Sequence, residues 1–333
     1  MNINLVQQRL LNDFQRGFPL MPQPFAQIAS DLDTTTDEVL DTLRHLSQQG
    51  VVSRVGPVFQ PNRVGVSTLA AMSVPEPELE KVAAQVSSFE EVNHNYEREH
   101  DLNLWFVLTA PDQTALDACI RRMESKTGYD VIVLPMLKEY HIDLGFRMQL
   151  DGCARLHEYS ENLADTGADQ EVCATAENQN SDLIAAIQLG LPLVERPFFE
   201  VGRALGLSEE AVIRRIGAMQ AEGIIKRMGV VVRHHELGYR SNAMMVLDVP
   251  DDRVEAVGWR LSAVDCVTLC YQRPRHLPEW PYNLFCMIHG KDRDDVLACI
   301  DDVINELQLA DLQRAVLFSK RRFKQRGAVY RKR

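Results

Sequence analysis

Histidine, tyrosine and arginine recur at every second residue in one stretch of the chain: His94, Tyr96, Arg98 and His100. Side chains two apart on an extended strand share a face. This spacing would therefore gather an imidazole, a phenol and a fixed cation. Tyr271, Arg273 and Arg275 make a second such row. Beside the first row, Asn103 and Trp105 share a face. Beside the second, Asn283, Phe285, Met287 and His289 alternate with Tyr282, Leu284, Cys286 and Ile288. A merely solvated face would favour Lys, Glu and Thr. An aromatic floor with fixed Arg and His suits a flat, polyanionic, partly apolar ligand. A polar dimer interface is the alternative that spacing alone leaves open.

The two rows are related because the chain is written twice. LLNDFQRGFPL at 10–20 matches LIAAIQLGLPL at 183–193, and the match runs on at an offset of 173. Pro24 meets Pro197, Gly50 meets Gly223, Arg54 meets Arg227 and Gly56 meets Gly229. After a two-residue slip, Tyr96 and Arg98 meet Tyr271 and Arg273. Such self-similarity marks two copies of one unit. Each copy ends in a further cluster, KEYHIDLGFRM at 138–148 and KRRFKQRG at 320–327. Aligning Tyr140 with Phe323 sets His141 opposite Lys324 and Glu139 opposite Arg322. Two non-identical half-sites would show this divergence, and so would drift.

Each copy opens with a helix-turn-helix pattern. Helices are predicted over 4–16, 25–32 and 37–49, the second entered through Pro24. Thr36 is the expected N-cap before Asp37 and Glu38. Val39, Leu40, Leu43 and Leu46 form one apolar stripe, and Gly50 ends the third helix. Residues 51–59 alternate as a strand pair, the wing. In the second copy Ser208 caps a helix that Gly223 stops. The remainder of each copy reads strand, helix, strand, strand, helix, strand: 67–74, 77–88, 92–98, 102–109, 114–126 and 129–135, then 241–249, 252–262, 267–273, 282–289, 293–307 and 312–318. The fold class is α+β: a tandem repeat of a winged helix-turn-helix and a ferredoxin-like βαββαβ domain. Expected boundaries are 1–62 and 63–148, an acidic linker 149–180, then 181–236 and 237–333 with a basic tail. The helix-free face of each sheet must be covered by another copy or by a ligand.

Composition narrows the classes. Net charge is −11, with 45% hydrophobic and 25% charged residues, as in soluble globular proteins. Residues 151–182 hold eight Asp/Glu and one Arg, while the last fourteen hold eight Lys/Arg. A solvated tail or anion binding would account for the latter. The third helix presents Asp37, Glu38, Asp41, Thr42, Arg44, His45 and Gln48, too acidic a face for a major groove. In the second copy Arg214 and Arg215 are accompanied by Glu209 and Glu210. No basic-then-apolar leader and no apolar run near 18 residues is present. Seven cysteines without CxxC predict reduced thiols and a cytoplasmic protein, with Cys266 and Cys270 incidental. No HExxH, zinc spacing, GxGxxG or P-loop occurs, and the adjacent His234 and His235 point apart, so no metal or nucleotide is expected.

The order helix-turn-helix then βαββαβ resembles the Lrp/AsnC regulators with their ligand-sensing domain. HNYEREHDLNLWF at 94–106, EYHIDLGF at 139–146, YQRPRHLPEWPYNLFCMIHG at 271–290 and FSKRRFKQRG at 318–327 resemble the siroheme decarboxylases. The first repeat is similar to the NirD type and the second to the NirL type, fused here. The resemblance implies removal of CO2 from the C12 and C18 acetates of siroheme, giving 12,18-didecarboxysiroheme for heme d1. It implies no added cofactor, since siroheme iron arrives with the substrate. It leaves open a homodimer or a complex with NirG/NirH-like subunits. Siroheme carries many carboxylates, so Arg98, Arg147, Arg273, Arg275 and Arg322 are the expected clamps. Tyr96, Trp105, Tyr271, Trp280 and Phe285 are the expected bed for the macrocycle. A general acid must then deliver a proton, and His94, His100, His141, His289 and Lys324 are the candidates. A histidine could instead ligate the iron. The competing reading is an Lrp/AsnC-type regulator that uses the same face to sense, and a third is a noncatalytic subunit of a heteromeric enzyme.

Overall fold

The computed structural model describes residues 4–60, 62–142, 174–232 and 241–330. The first repeat contributes α1 (Leu5–Asp13), α2 (Pro24–Asp31), α3 (Thr36–Gln48), β1 (Val52–Phe59), β2 (Val66–Met72), α4 (Glu76–Ser87), β3 (Val92–Arg98), β4 (Leu104–Ala110), α5 (Gln113–Thr127), β5 (Ile132–Pro135) and β6 (Lys138–Ile142). The second contributes α6 (Ala174–Ile187), α7 (Pro197–Leu205), α8 (Glu209–Ala221), β7 (Ile225–Val232), β8 (Ser241–Leu247), α9 (Val254–Ser262), β9 (Val267–Gln272), β10 (Leu284–Gly290), α10 (Arg293–Glu306) and β11 (Arg314–Gln325). Like elements of the two repeats associate. One unit holds the described residues of 4–64 and 174–232 with Tyr330, and the other holds those of 65–142 and 241–329.

In the first unit the apolar stripe of α3 is buried as its spacing requires. Its N-cap is Thr35, one residue before the expected Thr36, because the Thr35 hydroxyl accepts from the Glu38 N–H. Ser208 caps α8 as expected. The wing differs from expectation. Each copy supplies one strand rather than a pair, and β1 pairs antiparallel with β7, Gly56 opposite Gly229. The reason lies in the flanking chain of the other copy: Leu191 N–H donates to Val55 O and Val230 N–H to Phe14 O.

In the second unit nine antiparallel strands run in the order β5-β2-β4-β3-β11-β8-β10-β9-β6. Each repeat supplies a four-stranded ferredoxin-like sheet. The segment after its last strand then pairs with the other repeat. β11 runs past the expected end at Phe318, and its second half lies on β3, while β6 lies on β9. Ala70, Leu104, Phe106 and Leu108 pack under α4 and α5, and Met245, Leu284, Cys286 and Ile288 under α9 and α10. Residues that alternate with these, Trp105 and Leu134 in one copy and Met244, Val246, Phe285 and Leu317 in the other, join a single cluster. The other copy therefore covers the helix-free face over this cluster. Burial of this apolar area, worth about 25 cal/mol per Å², ties the repeats together.

The expectation of seven reduced thiols is corrected. Cys266, just before β9, is joined to Cys299 in α10. The two are 33 residues apart and become neighbours only when α10 packs on the sheet, so no spacing announces them. Cys119, Cys270 and Cys286 are free and buried. No helix among the described residues is long and apolar enough to cross a membrane.

Candidate functional site

β3 carries His94, Tyr96 and Arg98 on the face away from the helices. Tyr96 stands opposite Trp105, which belongs to the inter-repeat cluster. Asn95, between them, turns to the helix side and donates to Ala83 O and Ser87 Oγ on α4. The His94 and Tyr96 rings stack 6.2 Å apart. Where β3 ends, Asn103 fixes the chain by bonding both ways to the Val74 backbone, and Arg98 N–H donates to Asn103 O. Asn283 does the same for Val249 and Arg273.

Those anchors aim two arginines inward. Arg98 is 8% exposed; its Nη1 donates to Leu317 O at 3.0 Å, and Nη2 lies 3.9 Å from Met287 Sδ. Arg273, equally buried, donates from Nη1 to Leu134 O and stands 4.6 Å over the Tyr271 ring. Burial lowers the pKa of both, with Tyr271 opposing it in each case and Tyr96 also opposing it at Arg98. Among the described residues neither has a carboxylate in ion-pair range. Among the described residues these two buried cations meet carbonyls, rings and the Met287 sulfur but no carboxylate, which makes them a strong attractor for an anion.

His289 lies beside Arg98. Its pKa is lowered to about 4, first by burial and then by the Arg98 charge. The Thr268 hydroxyl is 2.8 Å from its Nδ1. His100 accepts from the Leu102 N–H through Nδ1 and meets the Trp280 edge; burial lowers its pKa, Asp101 opposing. Arg322, exposed on β11, faces Tyr96 in register and bonds Gln325, which faces His94. On β6, Glu139 faces Tyr271 and His141 stands in register with Cys270. The matched pairs predicted from sequence, Glu139 with Arg322 and His141 with Lys324, thus hold equivalent places in the sheet.

The structure brings His94, Tyr96, Arg98, Tyr271, Arg273, His289 and Arg322 to the faces between the repeats, and His100 to the adjoining loop. Other expected residues do different work. Trp105 and Trp280 are 1% and 0% exposed and pack on one another 5.0 Å apart, and Phe285, equally sealed, lies against Trp280, so the three are a wall behind the site and leave no surface for a macrocycle. Arg275 is neutralised by Asp248 and Asp251; burial opposes its charge, yet those bonds raise its pKa overall. Lys324 turns to the helix side, where Nζ donates to Ser87 O and Phe89 O beyond α4. Burial, reinforced by Arg326, brings its pKa down to about 8. A bulge between Arg322 and Lys324 causes this turn. Arg147, His234 and His235 lie outside the described residues, as does the expected linker up to residue 173. Among the described residues no cluster of metal-binding side chains occurs. Sequence reasoning placed Met287 on this face without foreseeing its contact with Arg98, and missed Thr268 and the carbonyls of Leu134 and Leu317.

Two helix-turn-helix copies in one unit, and two ferredoxin-like sheets joined across their helix-free faces in the other, define an Lrp/AsnC-like architecture. The AsnC-like ligand binding domain family matches residues 63–141 and 236–324. The siroheme decarboxylase NirDL-like HTH domain family matches 7–52 and 180–226. The siroheme decarboxylase NirDL subunit of Paracoccus denitrificans is 43% identical over 322 residues, covering 96% of both chains. The siroheme decarboxylase of Hydrogenobacter thermophilus is 32% identical over 95% of this chain and 92% of its own. The crystal structure of siroheme decarboxylase NirDL superposes with a TM-score of 0.69 at 28% identity, over 98% of this chain and 94% of that one. A crystal structure of siroheme decarboxylase NirDL in co-complex with an iron-uroporphyrin III analogue gives 0.67 at 30% identity, over 95% of this chain and 92% of that one. The chain belongs to the siroheme decarboxylase NirDL family.

Proposed function

We propose that this chain removes CO2 from the C12 and C18 acetate side chains of siroheme, yielding 12,18-didecarboxysiroheme on the route to heme d1. The observation that carries this reading is the pair of buried arginines, Arg98 and Arg273, which among the described residues have no carboxylate in ion-pair range and face inward beside tyrosines and histidine. A substrate with many carboxylates supplies the missing counter-charge. In the reaction the bond between the acetate methylene and its carboxylate breaks. The electron pair stays on the methylene carbon, stabilised by the pyrrole, and a proton takes the place of CO2. The arginines hold carboxylates that are not lost, and a histidine or tyrosine passes the proton in. Iron enters as part of the substrate, and no organic cofactor is assigned. NirG/NirH-like chains, or a second copy, are the proposed partners.

Anaerobic incubation of the purified chain with siroheme, followed by mass spectrometry of the tetrapyrrole, tests this. Successive losses of one and two CO2 are expected. Siroheme bound and unchanged, even after NirG/NirH-like subunits are added, overturns the reading in favour of a sensor.

A further inference from the structure

We propose that Thr268 is a positioning residue that fixes His289 as its Nδ1–H tautomer, leaving Nε2 as the nitrogen that takes up and passes on a proton; this rests on the siroheme reading above. A threonine hydroxyl has one hydrogen to give. Thr268 Oγ1 donates it to Met287 O at 3.0 Å, while the same oxygen lies 2.8 Å from His289 Nδ1. With its hydrogen committed to a carbonyl, Oγ1 can only accept from the ring, so the ring hydrogen sits on Nδ1. The lone pair of the neutral imidazole is then on Nε2. Such an arrangement is the usual means by which a neighbour selects a tautomer.

A β-bulge makes the contact. Register slips between Met287 and Ile288, which face Leu269 and Val267, so Thr268 is the extra residue and turns toward His289. Among the described residues, β3 brings Arg98 and β9 brings Thr268 to the ring, and Asn242 on β8 stands in register with His289. The positive charge of Arg98 favours the neutral ring, the state in which a tautomer has meaning. In the first repeat the matched place holds Thr109, whose hydroxyl accepts from Asn93 Nδ2 at 2.9 Å. That pair joins the matched positions over a similar distance and has nothing to titrate. The tautomer-fixing device is therefore confined to one side of a near-symmetric pair.

The test uses the full chain without substrate, labelled with 15N-histidine, and long-range proton–nitrogen correlation at pH 7.5, with H289Q to assign the signals. The Nδ1–H pattern is expected for His289 in the wild type and in Thr268→Ser. Thr268→Val should lose it, and should slow siroheme decarboxylation about ten- to a hundredfold with unchanged KM, rescued by Thr268→Ser. An Nε2–H pattern in the wild type overturns the proposal even if the valine variant does not fold. So does a folded Thr268→Val chain with unchanged tautomer or unchanged turnover. Because the spectrum needs no substrate, its outcome stands apart from whether siroheme is the substrate.

Discussion

Arg98 and Leu317 come from different repeats, and the guanidinium of the first closes on the main-chain oxygen of the second at 3.0 Å. The mirrored bond, Arg273 to Leu134 O, runs the other way. Each repeat thus supplies the cation that lies on the last strand of its twin, and neither half-site is complete in a single repeat. Duplication here does more than multiply sites. It lets matched positions diverge, as His289 and Thr109 have, while both cations stay in place.

Replacing Arg98 with methionine keeps much of the length and removes the charge. Turnover of siroheme should fall at least tenfold, a buried charge-assisted contact being worth about 1.5–3 kcal/mol. The pKa of His289 should rise from about 4 yet remain below 6.5, because burial is the larger cause of its depression and Arg98 the smaller. An NMR titration of His289 checks this. An unmoved pKa would sink the pairing of the two groups.

The same depression makes stability depend on pH. His289 binds its proton less readily folded, at about 4, than unfolded, near 6.5. Its contribution is complete above the unfolded value and is lost as pH falls from about 6.5 through 4. For a partly buried ring the loss should be on the order of 2 kcal/mol. His289→Thr, which installs the residue found at the matched site of the first repeat, should flatten urea stability between pH 6.5 and 4.5. An equally steep decline in that variant would assign the pH dependence to other groups.

Strand periodicity made much of this legible. Counting by twos placed His94, Tyr96 and Arg98 on one face, and Tyr271 and Arg273 on another, because those segments are regular. The same counting failed wherever a bulge intervened. Period two from Tyr271 sends Thr268 to the helix side, and period two from Arg322 keeps Lys324 on the inner face; both are reversed by one extra residue. Burial was the other blind spot. Trp105 and Trp280 have the chemistry of a binding surface, but only the packing of one repeat on the other shows that they are sealed. Likewise the exchange of β1 and β7 between copies leaves no trace in the pattern of either strand alone.

Glu97 clasps the crossing strand. It is 3% exposed on β3 and receives Lys320 Nζ at 3.2 Å and Arg321 from β11. Removing one member of a buried ionic cluster leaves uncompensated charge. The partners here are about half exposed, which discounts the loss, so Glu97→Gln should lower stability by about 2 kcal/mol. Glu255→Gln, at the exposed pair with Lys138 that mirrors Arg321 with Glu80, should shift stability less. Because β11 also presents Arg322 and Gln325 to Tyr96 and His94, the Glu97 variant should raise KM for siroheme as well. Equal melting temperatures for the two variants would contradict the clasp.

In the helix-turn-helix unit the exchange of strands demands close backbone approach, and Gly229 measures it. A Cβ on Gly229 would run into the backbone of Phe14 and Gln15, at the end of the other repeat's first helix. Main chain cannot step aside as a flexible side chain can. Gly229→Ala should therefore cost about 1–3 kcal/mol by overpacking. Gly217, inside α8, would meet only Leu20 Cδ1 at 3.9 Å, an ordinary contact. Gly217→Ala should gain up to about 1 kcal/mol from helix propensity. Urea unfolding of the two variants decides the matter. If alanine is tolerated equally at both sites, the close crossing of the repeats at Gly229 is not the packing that holds them.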